Sequence, residues 1–343
     1  MRAKDVKNLL ADCYKERFPK VILLGEPGSG KSSIVNQLFV DELKVPVYTF
    51  QAMLYDPVEI KGLPVYCNNT AKFIRFEDMP TGEIGVLFVD DLPHAPNQTQ
   101  NAFMRLILEG VAGAWNLGNI FPIAAGNRSI DRAGAKDLQT AMANRFLQIT
   151  LDVNYEDWRS WAVKKGITPE VVAYLGTPYG QGWLSHFKAS DPINPTPRSW
   201  EFVSALFARI TGEKFDDKKI SGANREAIEG CIGAEATAKF LGWVKVFNKL
   251  PDLNEIVKGK NIYPDEIDIM YATVSGLINI AKSFDKRLGI YQRLVDYAVK
   301  MPDQFIEMGV WLSKDLYQLD DKTFEDPKLN LEAWNEKFQS IML

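Results

Sequence analysis

Residues 25 to 32 read Gly25-Glu26-Pro27-Gly28-Ser29-Gly30-Lys31-Ser32, the spacing of a phosphate-binding loop. An aliphatic run, Val21 to Leu24, precedes the loop and predicts a short strand. Apolar residues at helical spacing follow it, namely Ile34, Val35, Leu38 and Phe39. This stretch therefore predicts a strand, a glycine-rich turn and a helix that begins at the turn.

Each residue type in the loop suits the binding of a polyphosphate. Glycines let backbone N–H groups face the phosphates, and the helix N-terminus adds positive potential. Lys31 would reach the β- and γ-phosphates, and the Ser32 hydroxyl would ligate Mg²⁺. The alternative is a glycine-rich turn that only caps a helix, but the flanking strand and helix favour a site for ATP. The expected contacts are Gly25, Glu26, Pro27, Gly28, Ser29, Gly30, Lys31, Ser32 and Ser33.

Composition narrows the class of protein. The 343 residues are 46% hydrophobic and 24% charged, with 40 basic and 44 acidic side chains and a formal charge of -4. These values are typical of two or three globular domains and give no overall attraction to nucleic acid or anionic membrane, although a local basic groove stays open. Isolated cysteines (Cys13, Cys67, Cys231) and histidines (His94, His186) provide no disulfide framework and no thiol or imidazole metal site. The N-terminal residues show no apolar leader segment, and no apolar stretch approaches the length of roughly 18 residues that a membrane span needs. We therefore expect a cytoplasmic protein.

Apolar runs alternate with amphipathic helical patterns in the first half of the chain. This alternation predicts an α/β fold whose parallel sheet is buried on both faces. We expect a P-loop domain at residues 1–152, an α-helical lid at 153–223 and an α-helical C-terminal extension at 224–343. The predicted strands are 21–24, 45–50, 85–90, 120–125 and 146–151.

Residues 56–76 lie between the second and third predicted strands and exceed what a crossover needs. Asn68 and Asn69 are turn-forming residues between two short apolar segments, which predicts an inserted β-hairpin. Long excursions from a compact domain are often functional, and the alternative is an ordinary surface hairpin.

Three polar side chains are predicted at the ends of neighbouring strands. Asp90 and Asp91 end the third strand, where Asp90 would hold Mg²⁺ and Asp91 would act as general base on the attacking water. Asn127 follows the next strand and would contact the γ-phosphate or orient the water. The alternatives are an acidic turn for the aspartates and a simple turn residue for Asn127.

Two arginines are further candidates for catalysis. Arg145 directly precedes the fifth predicted strand, and Arg198 lies in the first turn of a helix that begins near Pro197. A cation at a helix N-terminus opposes the macrodipole unless an anion such as a phosphate compensates. The alternative partner of Arg198 is Glu201, three residues further along the same helix.

With these residues assembled, residues 20 to about 212 resemble the AAA+ ATPases, and more closely the MoxR-like branch related to the dynein and midasin group. The loop at 25–32 resembles Walker A, Asp90-Asp91 Walker B, and Asn127 sensor 1. Segment 56–64 with its hairpin is similar to the helix-two insertion of that branch.

The resemblance implies roles for both arginines. Arg145 corresponds to the arginine finger offered to a neighbouring subunit, and Arg198 to sensor 2 of the lid. Arg128 and Arg132 are alternative residues for the subunit interface, and we favour Arg145. One departure is Asp91, where the family usually has Glu; the side chain is shorter by roughly 1.5 Å, which predicts slow hydrolysis.

The resemblance also implies a homo-hexameric ring that binds ATP and Mg²⁺ between subunits and remodels a partner protein, as a chaperone-like motor. Relatives frequently work with proteins that contain a von Willebrand factor A domain. Two other functions stay open: a nucleotide-gated assembly module with very slow hydrolysis, and a DNA-acting loader or translocase. The acidic composition argues against the latter, and small-molecule kinases rank last because they need neither Asn127 nor a lid carrying Arg198.

Overall fold

The computed structural model describes residues 1–81, 84–131, 143–177, 180–188, 190–211, 220, 222–247, 249–282, 284 and 288–342. The chain divides into two compact units. The first unit contains Met1–Asn154 and Phe187–Ser190, and the second contains Tyr155–His186 and Asp191–Leu343.

The first unit is built on a parallel sheet of five strands. Their bounds are β1 Val21–Leu24, β2 Val47–Gln51, β5 Gly85–Asp90, β8 Ile120–Gly126 and β9 Leu147–Thr150, and their order in the sheet is β2-β5-β8-β1-β9. The predicted α/β class and all five predicted strands are confirmed, with small shifts at their ends. Hairpins add β3 (Leu63–Cys67) paired with β4 (Thr70–Ile74), and β6 (Val111–Ala112) paired with β7 (Trp115–Asn116).

Both faces of the sheet are buried, which explains why its strands are apolar at consecutive positions. Successive side chains point to opposite faces. On β5, Leu87 and Val89 therefore enter one core cluster, while Val86 and Phe88 enter the other. The helices of this unit are α1 (Ala3–Glu16), α2 (Lys31–Asn36), α3 (Pro57–Lys61) and α4 (Asn97–Glu109), and α2 continues as a π-helical segment over Gln37–Glu42.

The predicted hairpin forms where the two asparagines were expected to turn. Asn68 and Asn69 both have positive φ, at 48° and 59°. Two successive left-handed residues match the turn that suits the twist of paired strands, and asparagine tolerates this conformation. The hairpin strands are largely exposed, including Tyr66, Phe73 and Ile74.

The second unit is helical in its described residues. Its helices are α5 (Tyr155–Lys165), α6 (Pro169–Gly176), α7 (Pro197–Thr211), α8 (Ala223–Ile232), α9 (Ala234–Phe247), α10 (Leu253–Val257), α11 (Ile267–Lys282), α12 (Leu288–Val299), α13 (Ile306–Leu319), α14 (Asp321–Phe324) and α15 (Glu332–Met342). Gly233, at φ 80°, separates α8 from α9. None of the helices within the described residues is long and apolar enough to cross a membrane.

An aromatic cluster connects helices on both sides of residue 223. Tyr174 of α6 contacts Trp200 of α7 and Phe240 of α9, with ring centroids 5.6 and 5.4 Å apart. Trp200 also donates its indole N–H to the Trp183 carbonyl at 2.7 Å. The division into a lid and an extension stays a prediction.

A buried ion pair connects α5 and α13 in the second unit. Arg159 donates from Nη2 to Asp315 Oδ2 at 2.5 Å and from Nε to the same oxygen at 3.0 Å. Each side chain is 5% exposed, and the guanidinium also lies 4.8 Å from the Trp311 ring centroid. This pair satisfies two charges that burial would otherwise make very costly.

Candidate functional site

Strand register brings the phosphate-binding loop, Asp90 and Asn127 to one edge of the sheet. Leu24 of β1 is paired with Gly126 of β8, so the phosphate-binding loop and Asn127 leave the sheet at the same level. Val89 of β5 is paired with Ala124 of β8, which places Asp90 near that level too. Ligands of parallel α/β sheets bind at this carboxyl edge.

The loop adopts the backbone conformation that its glycines permit. Gly28 and Gly30 have φ of 73° and 97°, a region that residues with a Cβ rarely enter. Gly30 directly precedes α2, which begins at Lys31. The N–H groups of the first turn of α2 therefore point toward the loop, where an anion would be stabilised.

Lys31 connects the loop to the end of β8. Its Nζ donates to the carbonyl oxygens of Gly25 and Glu26, both at 3.0 Å, and to Asn127 Oδ1 at 2.9 Å. The residue is only 7% exposed. An ammonium group has three donors, so these contacts use all of them, and a phosphate oxygen would have to replace one acceptor.

Ser32 and Asp90 form the group that suits a magnesium ion. Ser32 Oγ donates to Asp90 Oδ2 at 2.6 Å, a short bond typical of a charged acceptor. A hydroxyl and a carboxylate are the oxygen ligands that Mg²⁺ prefers beside phosphates, so these residues fit the ion. No cluster of three or more His, Cys, Asp or Glu side chains that could hold a metal occurs among the residues that the structure describes.

Asp91 directly follows the end of β5 and has an unusual backbone conformation. It has φ 55° and ψ 30°, the left-handed region that aspartate enters more readily than most residues. Its N–H donates to Asp90 Oδ1 at 3.0 Å, and its side chain is 36% exposed. The carboxylate is therefore accessible to a water molecule at the edge of the sheet.

His94 belongs to the same group, although the sequence pattern did not assign it there. Its Nδ1 lies 3.5 Å from Asp91 Oδ1, and its Nε2 lies 3.4 Å from Asn127 Nδ2. From the sequence, the only role considered for a histidine was that of a metal ligand. The available signal was position, because His94 follows Asp91 by one turn of chain.

Arg128 is held within its own chain. Its Nη2 lies 3.2 Å from Glu26 Oε1 and 2.7 Å from Asp131 Oδ1. Hydrogen bonding to Asp131, partly offset by burial, raises the pKa of the Arg128 guanidinium above its ordinary value. These contacts fasten the segment after β8 to the phosphate-binding loop, whereas Arg132 lies outside the described residues.

Arg145 is not part of this group. Arg145 is exposed two residues before β9, and Val21 is paired with Leu147, so Arg145 lies at the amino edge of the sheet. It is therefore on the opposite edge from Asn127 and the loop. Arg198 belongs to the second unit.

Arg198 lies in the first turn of α7, whose start is fixed by a reciprocal cap. Ser199 N–H donates to Thr196 Oγ1 at 3.1 Å, and Thr196 N–H donates to Ser199 Oγ at 2.8 Å. Arg198 is exposed, and its alternative partner Glu201 lies 3.7 Å from Lys165 instead.

The sequence matches no protein-family model and none of the curated proteins. Among solved structures, NtrX from Brucella abortus in complex with ADP is 14% identical, with 99% of this chain and 68% of that chain covered and a TM-score of 0.39. A mutant of RuvB from Thermotoga maritima is 11% identical over 90% of this chain and 80% of that one, at a TM-score of 0.34. A DNA polymerase III gamma subunit-related protein from Thermotoga maritima is also 11% identical, with 98% of this chain and 97% of that chain covered and a TM-score of 0.34. At these identities and TM-scores, the similar structures carry no information about the function of this chain.

Proposed function

We propose that the chain binds ATP with Mg²⁺ and hydrolyses it, as an AAA+ ATPase of the MoxR-like branch. The observation that carries the proposal is the meeting of Lys31, Ser32, Asp90 and Asn127 at the carboxyl edge of the sheet. Lys31 and Ser32, which follow β1, donate to Asn127 after β8 and to Asp90 of β5, respectively. A glycine-rich helix cap alone would not require a carboxylate on Ser32 or an amide on Lys31.

The proposed roles follow from the chemistry of each side chain. The loop N–H groups and Lys31 bind the phosphates, while Ser32 and Asp90 hold the magnesium ion. Magnesium supplies charge neutralisation for the phosphate oxygens when it is bound. Asp91 accepts a proton from the attacking water, and Asn127 orients that water or contacts the terminal phosphate.

The simplest test removes the proposed cationic contact to the phosphates. Lys31→Ala should abolish binding of a fluorescent ATP analogue, since the principal cationic phosphate ligand is lost. Lys15→Ala is the matched control, because Lys15 is an exposed lysine on α1 and lies outside the phosphate-binding loop. Retention of ATP affinity in Lys31→Ala would contradict the proposed binding mode.

We further propose a homo-hexameric ring in which Arg145 acts on the ATP of a neighbouring subunit. Its position at the amino edge supports this, because that edge is opposite to the chain's own phosphate-binding loop. Mixing Arg145→Ala with Lys31→Ala subunits should restore part of the lost turnover, since some interfaces then combine an intact loop with an intact arginine. A complete lack of restoration would count against a role in trans.

In the full proposal, residues 153–223 act as a lid that carries Arg198, and residues 224–343 contact a partner. The energy of hydrolysis is used to remodel a protein, and a protein with a von Willebrand factor A domain is the proposed partner class. Imaging the particle with ATP tests the ring directly: a six-fold ring supports it, and a monomer contradicts it.

A nucleotide-gated assembly module with very slow hydrolysis is the second candidate. The short Asp91 side chain on a left-handed backbone favours it. Comparison of steady-state turnover between the natural chain and Asp91→Glu would distinguish the two. Brisk turnover in the natural chain removes this alternative, whereas a large gain in Asp91→Glu supports it.

A further inference from the structure

The segment that carries His94 is held firmly from two sides. Pro93 packs against Gly126 at the end of β8, so closely that a Cβ added at Gly126 would lie 2.2 Å from Pro93 Cδ. From α4, the Gln100 side chain donates Nε2 to the Ala95 carbonyl at 2.9 Å and to the Pro93 carbonyl at 3.4 Å. Gln100 is 1% exposed. The backbone on both sides of His94 is therefore fixed, which holds the imidazole beside Asp91 and Asn127.

The donor and acceptor of each contact can be assigned in turn, starting from Lys31. Lys31 is only a donor, so the oxygen of the Asn127 amide faces it and the amide NH₂ faces His94. Since an NH₂ group only donates, His94 Nε2 has to be the acceptor. A neutral imidazole that accepts at Nε2 carries its proton on Nδ1, and that proton faces the Asp91 carboxylate.

The geometry thus points to a one-directional chain from Lys31 through Asn127 and His94 to Asp91. We propose that His94 is a positioning residue, which orients the Asp91 carboxylate and couples it to Asn127 and Lys31. This inference rests on the proposed ATPase function, because Asp91 is the general base of that reaction. The two contacts of His94 are long at 3.4 and 3.5 Å, and such contacts shorten when a catalytic site closes on its substrate.

This series of side-chain contacts explains how a short aspartate can serve as general base. Its side chain cannot reach as far as a glutamate, so its orientation matters more. In the proposed arrangement, His94 Nδ1 faces Asp91 Oδ1 at 3.5 Å and orients that carboxylate toward the water.

Kinetics of three substitutions at His94 test the positioning role. His94→Ala should lower the turnover number about 10- to 100-fold, the usual loss when an orienting partner is removed, with ATP affinity changed less than about threefold. His94→Asn keeps a donor toward Asp91 and should recover much of the turnover, whereas His94→Gln keeps the group facing Asn127 and should recover less. Turnover of His94→Ala within about twofold of the natural chain, or a loss of affinity in step with turnover, would overturn the proposal.

A second measurement does not depend on hydrolysis. The chain has only 2 histidines, so its imidazole ¹⁵N spectra contain signals from two residues, which are assigned with His186→Gln. At pH 8 we expect His94 as the tautomer protonated on Nδ1, and Asn127→Ala should abolish this single-tautomer signal. The other tautomer, or an averaged signal in the natural chain, would overturn the link. If ATP is bound but not hydrolysed, the proposed hydrolysis fails, while the tautomer still decides whether His94 links Asn127 to Asp91.

Discussion

Replacing Gly126 by alanine tests whether the site depends on a single close packing contact. The added methyl would lie 2.2 Å from Pro93 Cδ and 2.6 Å from Pro93 Cγ. Carbon atoms in contact are ordinarily about 3.5 Å apart, so the Pro93 ring or β8 has to move by about 1.3 Å. Neither is the end of a flexible side chain, because proline is cyclic and Gly126 lies in a central strand.

The displacement should cost both stability and activity. Overpacking of a well-packed site costs about 1–3 kcal/mol in the free energy of unfolding. The moved segment directly precedes His94, and Asn127 directly follows Gly126, so both would shift by about the same amount. A misplacement of about 1 Å can reduce a reaction rate about 100-fold. We therefore expect Gly126→Ala to lose about 1–3 kcal/mol of stability and about 100-fold in turnover.

Urea unfolding and steady-state ATP turnover measure the two effects. Gly230→Ala is the matched control, because it adds the same methyl inside α8 with nothing within 4 Å. This control should leave turnover unchanged and gain about 0.5–1 kcal/mol, the ordinary benefit of alanine over glycine in a helix. If Gly126→Ala unfolds and turns over like the natural chain, the contact with Pro93 does not position the site, and the reasoning is wrong.

Three further predictions concern other parts of the chain. Asp315→Ala should destabilise the protein by about 3–5 kcal/mol in urea unfolding, because the Arg159 guanidinium stays buried without its partner, and the double variant Arg159→Met/Asp315→Leu should regain most of the loss. Asp90→Asn should remove the Mg²⁺ dependence of ATP affinity in equilibrium titrations, and an undiminished dependence would mean that Asp90 does not help to hold the ion. Asn69→Val should lower amide-exchange protection of the hairpin by about 1–2 kcal/mol, because a β-branched residue is strained at positive φ, while Asn69→Gly keeps the protection and both keep the natural ATP affinity.

The sequence predicted the fold of the first unit well because local signals and tertiary burial agree there. A strand buried on both faces, such as β5, has to be apolar at consecutive positions, and this pattern is visible without a structure. The hairpin was predicted for a similar reason, since Asn68 and Asn69 can adopt the backbone that the turn requires. The helical character of residues 224–343 was predicted, but the break at Gly233 was not, because one glycine is compatible with either a helix interior or its end.

The site shows the limit of the same approach. Lys31, Ser32, Asp90 and Asn127 could be proposed from their positions after strands, because parallel strands bring their carboxyl ends to one edge. His94 was missed, since a single histidine in a loop has no periodic or spacing signal. The position of His94 depends on contacts of its two neighbours in the chain. Pro93 packs against Gly126 of β8, and Gln100 of α4 donates to the carbonyls of Pro93 and Ala95.

By itself, the sequence determined the class of fold, the phosphate-binding loop and the set of polar residues at the strand ends. These features depend on local backbone conformation and on the repeat of apolar residues, which the chain encodes within a few positions. Only the tertiary structure decided that Lys31 contacts Asn127, that His94 lies between Asn127 and Asp91, and that Arg128 is paired within its own chain. Such contacts depend on strand order, register and side-chain packing, which join residues far apart in sequence.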